Sequence, residues 1–420
     1  MRPWRTEALA RAVLVAALVL LAGAAGKVHA EAPVARGFSA AGLARVSAFL
    51  RGEVAARRIP GAVLLIQQHG KPVLSESFGL RNVTTAQPMT EDSIFRLYSM
   101  SKPITSVAAM MLVEDGKLAL DDAVAKYIPA FADVQVGVPQ TGGKLALQPL
   151  ARPITVRDLL RHTSGITYGF YGDSPVRKLY AQAGLFDGDP DNAQFVARLV
   201  RLPLAEQPGT VWDYGHSTDV LGRVIEIASG QSLDQFEKQR LLDPLEMRDT
   251  AFFVADDAKR PLIAEPLPGD WFDRPVAGIT EATAPRRWES GGAGMVGTIK
   301  DYARFAQMLL GGGELAGRRY LRRETLAQMT SDQLAGTGVR TEPEFYFPGR
   351  DSSFGLGFAV RTMANGALPA GEYRWDGVGG TFFFIDPADD MFVICMMQSP
   401  SQRGPIQDEV KRLVYAAMNR

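Results

Sequence analysis

A chain of 420 residues, 46% of them hydrophobic, with 42 Gly and 26 Pro, can bury the core of one large domain or of two lobes. Its 46 basic and 46 acidic residues cancel, which leaves no global field to draw it to nucleic acid or anionic lipid. It carries no long charge run, no repeat of solenoid length and no low-complexity tract.

Residues 1–30 read as a secretory signal. Arg2, Arg5 and Arg11 lead into the apolar run "AVLVAALVLLAGAA" (12–25), and Val28-His29-Ala30 gives the small-x-small cleavage pattern. The apolar run is shorter than the roughly 20 residues of a membrane span. Cleavage after Ala30 is therefore expected, with a secreted or periplasmic mature protein and no stable membrane anchor.

A helix is predicted at 40–57, then two strands in "GAVLLIQQHGKPVLSESFG" (61–79) about a His69-Gly70-Lys71-Pro72 turn. From Ser99 the period changes. Ile104, Val107, Ala108, Met111 and Leu112 mark one face of a helix, with Pro103 in its first turn and Gly116 as its stop. The middle, 119–344, is rich in helix and loop: "TVRDLLRHTSG", "TDVLGRVIEIASG" and "TIKDYARFAQMLLGGG" each end on glycine. Strands are predicted again at 354–360, 372–377, 381–386 and 391–397, and a last helix at 405–418. Cys395, the single cysteine, falls in the apolar run "MFVICMM", so no intramolecular disulfide is available and Cys395 reads as core. Strands at both ends imply an α/β (α+β) lobe made of 31–118 and 345–420, with 119–344 inserted as a mainly helical lobe.

Ser99 and Lys102 in "RLYSMSK" stand three residues apart, so a helix starting near Ser99 places them on one face. A serine hydroxyl needs a base, and a lysine can serve if burial or a nearby cation lowers its pKa. A helix N-terminus would add a free backbone N–H and a positive dipole end for an oxyanion. No G-x-S-x-G nucleophile elbow competes with this serine. The histidines show no metal-ligand spacing, the glycines at 291–294 and 311–313 follow no phosphate-loop spacing, and His162 reads as a turn organiser. A metal-independent, cofactor-free site is expected.

"RLYSMSK", "HTSG" (162–165), "PGTVWDYGHS" (208–217), "SGGAGM" (290–295), "DYARFAQMLL" (301–310) and "YRWDGVGGTFFFIDP" (373–387) occur in one order. As a set they resemble the serine β-lactamase and penicillin-binding-protein superfamily, in particular class C β-lactamases and family VIII carboxylesterases, from about residue 40 to the end. The resemblance implies a β-lactamase/transpeptidase-like fold, with an antiparallel sheet from both termini flanked by helices. It implies Ser99 as nucleophile, Lys102 as its basic partner and Tyr214 as general base and acid. It also implies an oxyanion hole from the backbone amides of Ser99 and Val378.

Two departures bear on substrate. His216 replaces the Asn of Y-x-N, and an imidazole can donate one hydrogen bond there. The K-T-G motif aligns with Trp375, Asp376 and Gly377, so no lysine is present to hold a substrate carboxylate. Arg374 is adjacent, but strand alternation sends it to the other face. With His216, Trp375, Asp376 and Gly377 as the substrate-binding set, an uncharged ester is the expected substrate. The alternatives are a β-lactamase or D,D-peptidase acting on cell-wall-like amides, and a silent member that binds peptidoglycan or a partner protein.

Overall fold

The computed structural model describes residues 37–270 and 281–419; the leader expected at 1–30 lies outside the described residues. Six helices matter for the site: α1 (Ala40–Ala55), α2 (Ser101–Glu114), α3 (Val156–Leu160), α4 (Ser217–Ser229), α5 (Ile299–Leu310) and α6 (Arg403–Ala417). The main sheet takes β1 (Gly61–Gln68), β2 (Lys71–Asn82) and β3 (Gln87–Pro88) from one end of the chain. From the other end come β4 (Ser352–Phe354), β5 (Ala359–Arg361), β6 (Tyr373–Asp376), β7 (Phe382–Asp386) and β8 (Met391–Met397).

Across the sheet the order is β4-β5-β6-β7-β8-β1-β2-β3, all antiparallel. The β1–β8 pairing, with Leu64 opposite Cys395, joins segments more than 300 residues apart in the sequence. The β1–β2 hairpin closes where predicted, with His69 (φ 50°) and Gly70 (φ 71°) both left-handed, as a tight two-residue turn requires.

Alternation along each strand divides the core into two layers. Leu64, Ile66, Phe384, Val393 and Cys395 pack with residues of α1 and α6. Val63, Leu65, Phe383, Ile394 and Met396 pack with α2, α5 and the helical middle of the chain. With both faces covered, the central strands are apolar throughout, which is why "MFVICMM" shows no polar alternation. Cys395 is fully buried, and burial pushes its thiol up to about 12.

The structure departs from the sequence reading in three places. The strand expected at 354–360 is two strands, β4 and β5, paired with each other through a Gly355-Leu356-Gly357 turn. A Cβ on Gly355 would stand 2.0 Å from the Met329 carbonyl oxygen, and Gly357 has φ 94° with Ser106 Oγ 2.3 Å from a Cβ there. That close approach seats the turn against α2. Second, α2 does not have a single apolar face: Ser101 through Leu112 are all buried, because the helix runs through the core between sheet and helical middle. Third, α3 ends not on a glycine but on His162, whose φ of 57° carries the turn.

Candidate active site

Ser99 lies in a 3-10 turn (Tyr98–Met100) immediately before α2, half-buried. The helix starts later than expected because Tyr98 is left-handed, φ 47°, a conformation costing a non-glycine residue about 1–2 kcal/mol. The turn after β6 holds this segment. A Cβ on Gly377 would lie 2.3 Å from the Leu97 carbonyl oxygen, and one on Gly379 2.5 Å from the Tyr98 ring. Thr381 Oγ1 donates to that same Leu97 oxygen at 3.2 Å. Val378, between the two glycines, is thereby brought to the turn that carries Ser99, and its amide donates to no described acceptor.

Lys102 sits in the first turn of α2 and is 1% exposed. Its Nζ donates to Gly292 O at 2.7 Å, to Tyr168 OH at 3.1 Å and to Ser99 Oγ at 3.4 Å. It also lies 4.6 Å from the centre of the Tyr214 ring. Burial lowers its pKa to about 8, against the opposing pull of Asp219 and Asp376. About a tenth of such a lysine is neutral at pH 7, enough to act as a base.

Tyr214 follows the two-residue strand Val211–Trp212 and is buried. Gly215 permits this packing, since a Cβ there would meet Ile166 O at 2.3 Å. The Tyr214 hydroxyl accepts from Trp375 Nε1 at 3.3 Å. Burial holds its pKa well above the ordinary phenol value, so the group is neutral and can donate as well as accept. The His162 ring lies tilted against it, centres 4.9 Å apart, kept neutral by burial and by Lys102, which together hold the imidazole well below its usual range.

A carboxylate that sequence reasoning passed over organises the rear of the site. Asp219, buried in the first turn of α4, accepts from Ser290 Oγ at 2.5 Å and from Gly292 N at 3.1 Å. Its other oxygen meets His216 Nδ1 at 2.9 Å. Asp219 thus fixes the Gly292 carbonyl on which Lys102 rests. Tyr168, on the same lysine, was missed as well. The clues were present, an acid three residues after His216 and a tyrosine soon after "HTSG", but nothing local in sequence ties either to Lys102.

The Beta-lactamase family model matches residues 46–416. This chain belongs to the Beta-lactamase family. Esterase EstB of Burkholderia gladioli is 30% identical over 411 residues, covering 91% of this chain and 98% of that protein. The structure of EstCE1, described as a hydrolase with promiscuous acyltransferase activity, has a TM-score of 0.72 at 26% identity, covering 89% of this chain and 99% of that one. Simvastatin synthase LovD from Aspergillus terreus shares the fold, at a TM-score of 0.72 and 23% identity over 90% of this chain and 99% of its own. The protein is a hydrolase, with the β-lactamase-like fold expected from its motifs.

Within this family framework the substrate-side residues divide. Trp375 faces Tyr214 and is walled by Phe354 and Tyr346. Arg374 points the other way, to Glu372, Ser352 and Pro348 O, as alternation requires. Asp376 was expected in the substrate-binding set. Instead both its oxygens accept from Tyr346 OH, at 2.8 and 2.6 Å, and Arg403 Nε stands 3.5 Å away. His216 was expected to donate to substrate. Its ring instead is enclosed by Tyr168, Phe195 and Phe186, and one nitrogen is taken by Asp219, so the imidazole serves the interior of the site.

Proposed function

We propose that this protein is an exported serine esterase that cleaves uncharged carboxylic esters through a Ser99 acyl-enzyme. The observation that carries the reading is a buried lysine of lowered pKa whose Nζ meets both the half-buried Ser99 hydroxyl and the face of the buried Tyr214 ring. Neutral Lys102 takes the Ser99 proton as Oγ attacks the ester carbon. The carbonyl oxygen, now negative, is received by the backbone amides of Ser99 and Val378. As the C–O bond breaks, Tyr214 gives its proton to the departing alcohol, and Lys102 returns one to Tyr214. Water then attacks the acyl carbon, loses its proton to the same Lys102–Tyr214 pair, and Ser99 leaves with a proton restored.

Preference for uncharged esters rests on what stands at the third motif. Trp375 presents an indole where a lysine would hold a carboxylate, and the nearby cation, Arg403, is paired with Asp376. Tyr171, Tyr346 and the exposed Phe170 extend the aromatic wall outward. The names of the relatives EstB and EstCE1 agree with ester cleavage. Export is supported by the charge and apolar pattern of residues 1–30.

The test is a hydrolysis screen of neutral short and medium acyl esters beside nitrocefin and a D-Ala-D-Ala peptide, with Ser99→Ala as control. Neutral esters should be cleaved fastest. If nitrocefin or the peptide exceeds every neutral ester, the amide-directed reading takes its place. Export is tested separately, by sequencing the mature N-terminus, which should begin at Glu31.

A further inference from the structure

A further carboxyl lies behind the site, untouched by the proton transfers at Ser99. Glu237 ends the short helix Leu233–Glu237 and is fully buried. Its Oε2 meets no partner among the described residues. Its Oε1 lies 2.8 Å from Thr105 Oγ1, and that same hydroxyl lies 3.0 Å from the carbonyl oxygen of Gly291. Thr105 is on α2, three residues after Lys102, and so on the same face of the helix. Its methyl meets the same glycine: a Cβ on Gly291 would lie 2.9 Å from Thr105 Cγ2.

A hydroxyl carries one proton and two lone pairs. If Glu237 is ionised, both neighbours of Thr105 Oγ1 are acceptors, and one proton cannot serve two acceptors well. The conflict disappears if the carboxyl keeps its proton on Oε1. Glu237 then donates to Thr105 and Thr105 donates to Gly291, so each proton has its own acceptor. Leaving Oε2 unpaired also costs less for a neutral carbonyl oxygen than for half of a buried charge. Burial holds this carboxyl well above the ordinary carboxylate range, outweighing the Thr105 contact, and the charges that act on it, Glu289 and Asp234, are both negative and push the same way.

The direction of this chain matters to Lys102. Gly291 O and Gly292 N belong to one peptide group. Its N–H donates to Asp219 Oδ1 at 3.1 Å, and its oxygen accepts from Thr105. The next carbonyl, Gly292 O, is the one that accepts from Lys102 Nζ at 2.7 Å. A peptide between two glycines turns easily, so anchoring both its ends fixes that carbonyl for the lysine. We propose that Thr105 is a positioning residue for ester cleavage and that Glu237, as a neutral acid, commits the Thr105 proton to Gly291. The inference rests on the reading of Lys102 as the base. An ionised Glu237 would draw the threonine proton to itself, release the Gly291 oxygen and add a negative charge behind the lysine.

The rate at which a fluorophosphonate labels Ser99 is the readout, since it needs the base but no particular substrate. Thr105→Ser keeps the hydroxyl and loses the methyl, whereas Thr105→Val keeps the shape and loses the hydroxyl. The serine variant should label within about threefold of wild type and the valine variant about tenfold more slowly, the effect of one lost hydrogen bond. The reverse order would reduce Thr105 to packing and overturn the proposal. Glu237→Gln supplies an amide N–H in place of the carboxyl O–H, so its rate profile between pH 7 and pH 9 should overlay that of wild type. A profile moved to lower pH would mean that a negative charge had been removed, and that Glu237 is ionised. Infrared difference spectra of wild type against Glu237→Gln at pH 7 read the proton directly, with no need of activity or of the Thr105 variants. Wild type should show a protonated-carboxyl stretch that the variant lacks, and carboxylate bands in its place overturn the assignment. Should Lys102→Met label as fast as wild type, the reading of Lys102 fails and the positioning role with it, a result separable from failure of the Thr105–Glu237 pair.

Discussion

Replacing Lys102 with methionine should make the protein more stable at neutral pH and nearly inactive. Lys102 is fully enclosed, and its pKa falls from 10.5 to about 8 on folding. Between those two values the unfolded chain holds the proton more firmly than the folded one, so stability rises with pH through that window and is flat on either side. At one pKa unit per about 1.4 kcal/mol, keeping the ammonium in the fold at pH 7 costs about 3 kcal/mol, falling to about 2 kcal/mol at pH 9. Methionine has similar length and no charge. The stability advantage of Lys102→Met, measured by urea unfolding, should therefore shrink by about 1 kcal/mol between pH 7 and pH 9. Over the same interval wild-type kcat/KM for a neutral ester should climb about tenfold as the lysine loses its proton, whereas the variant should lose at least about 10²-fold in kcat at every pH. A stability difference that stays constant from pH 7 to pH 9 would mean that Lys102 keeps its proton throughout, and its role as base would fall with that result.

A fluorophosphonate should add its mass at Ser99, and Ser99→Ala should abolish both labelling and turnover; labelling at Ser101 or Ser164 in an active Ser99→Ala variant would end the mechanism. Asp219→Asn removes a charge that raises the pKa of Lys102, so the rising limb of the kcat/KM profile should move to lower pH than in wild type; an unmoved limb would reduce Asp219 to a scaffold role. Trp375→Phe keeps the apolar wall but deletes the donor at 3.3 Å from Tyr214 OH, and should lower kcat by about tenfold with KM within about twofold. Trp375→Lys should shift the ratio of anionic to neutral substrate turnover toward the anionic, chiefly through KM, and an unchanged ratio would show that residue 375 does not meet the substrate.

Much of the fold was legible because its signals are local. The left-handed pair His69-Gly70, the apolar run around Cys395 and the capped helices α4 and α5 each follow from a few neighbouring residues. What escaped was set by distant contacts. The split of "FGLGFAV" into β4 and β5 depends on Met329 and Ser106, against which the two glycines press. The late start of α2 depends on Tyr98, whose strained backbone is braced by a turn almost 280 residues further on. For the site the boundary is the same. Ser99 and Lys102 announce themselves by spacing, whereas Asp219 acts on Lys102 through the backbone of Gly292, and no motif records that relation.

The third motif shows how charge at a site is decided by partners rather than by residue type. Taken alone, Asp376 beside Trp375 implies a carboxylate that repels anionic substrates, an interaction of roughly 4 kcal/mol for unit charges about 4 Å apart at an effective dielectric of about 20. The fold offsets part of that field, because the Tyr346 hydroxyl and the Arg403 guanidinium both lie on the same carboxylate. Arg403 is in turn stacked 4.8 Å over the Tyr346 ring, which fixes the pair at the edge of the pocket. Discrimination against anions then rests less on repulsion by Asp376 than on the indole that stands at position 375 and on Arg403 being already paired with Asp376. The two causes make different demands on a substrate. Repulsion would penalise a carboxylate anywhere near the mouth, whereas a missing partner penalises it only where it must leave water to reach the indole. The expected selectivity is therefore positional: a charge carried far along the acyl or alcohol chain is tolerated, and one placed beside the ester is not.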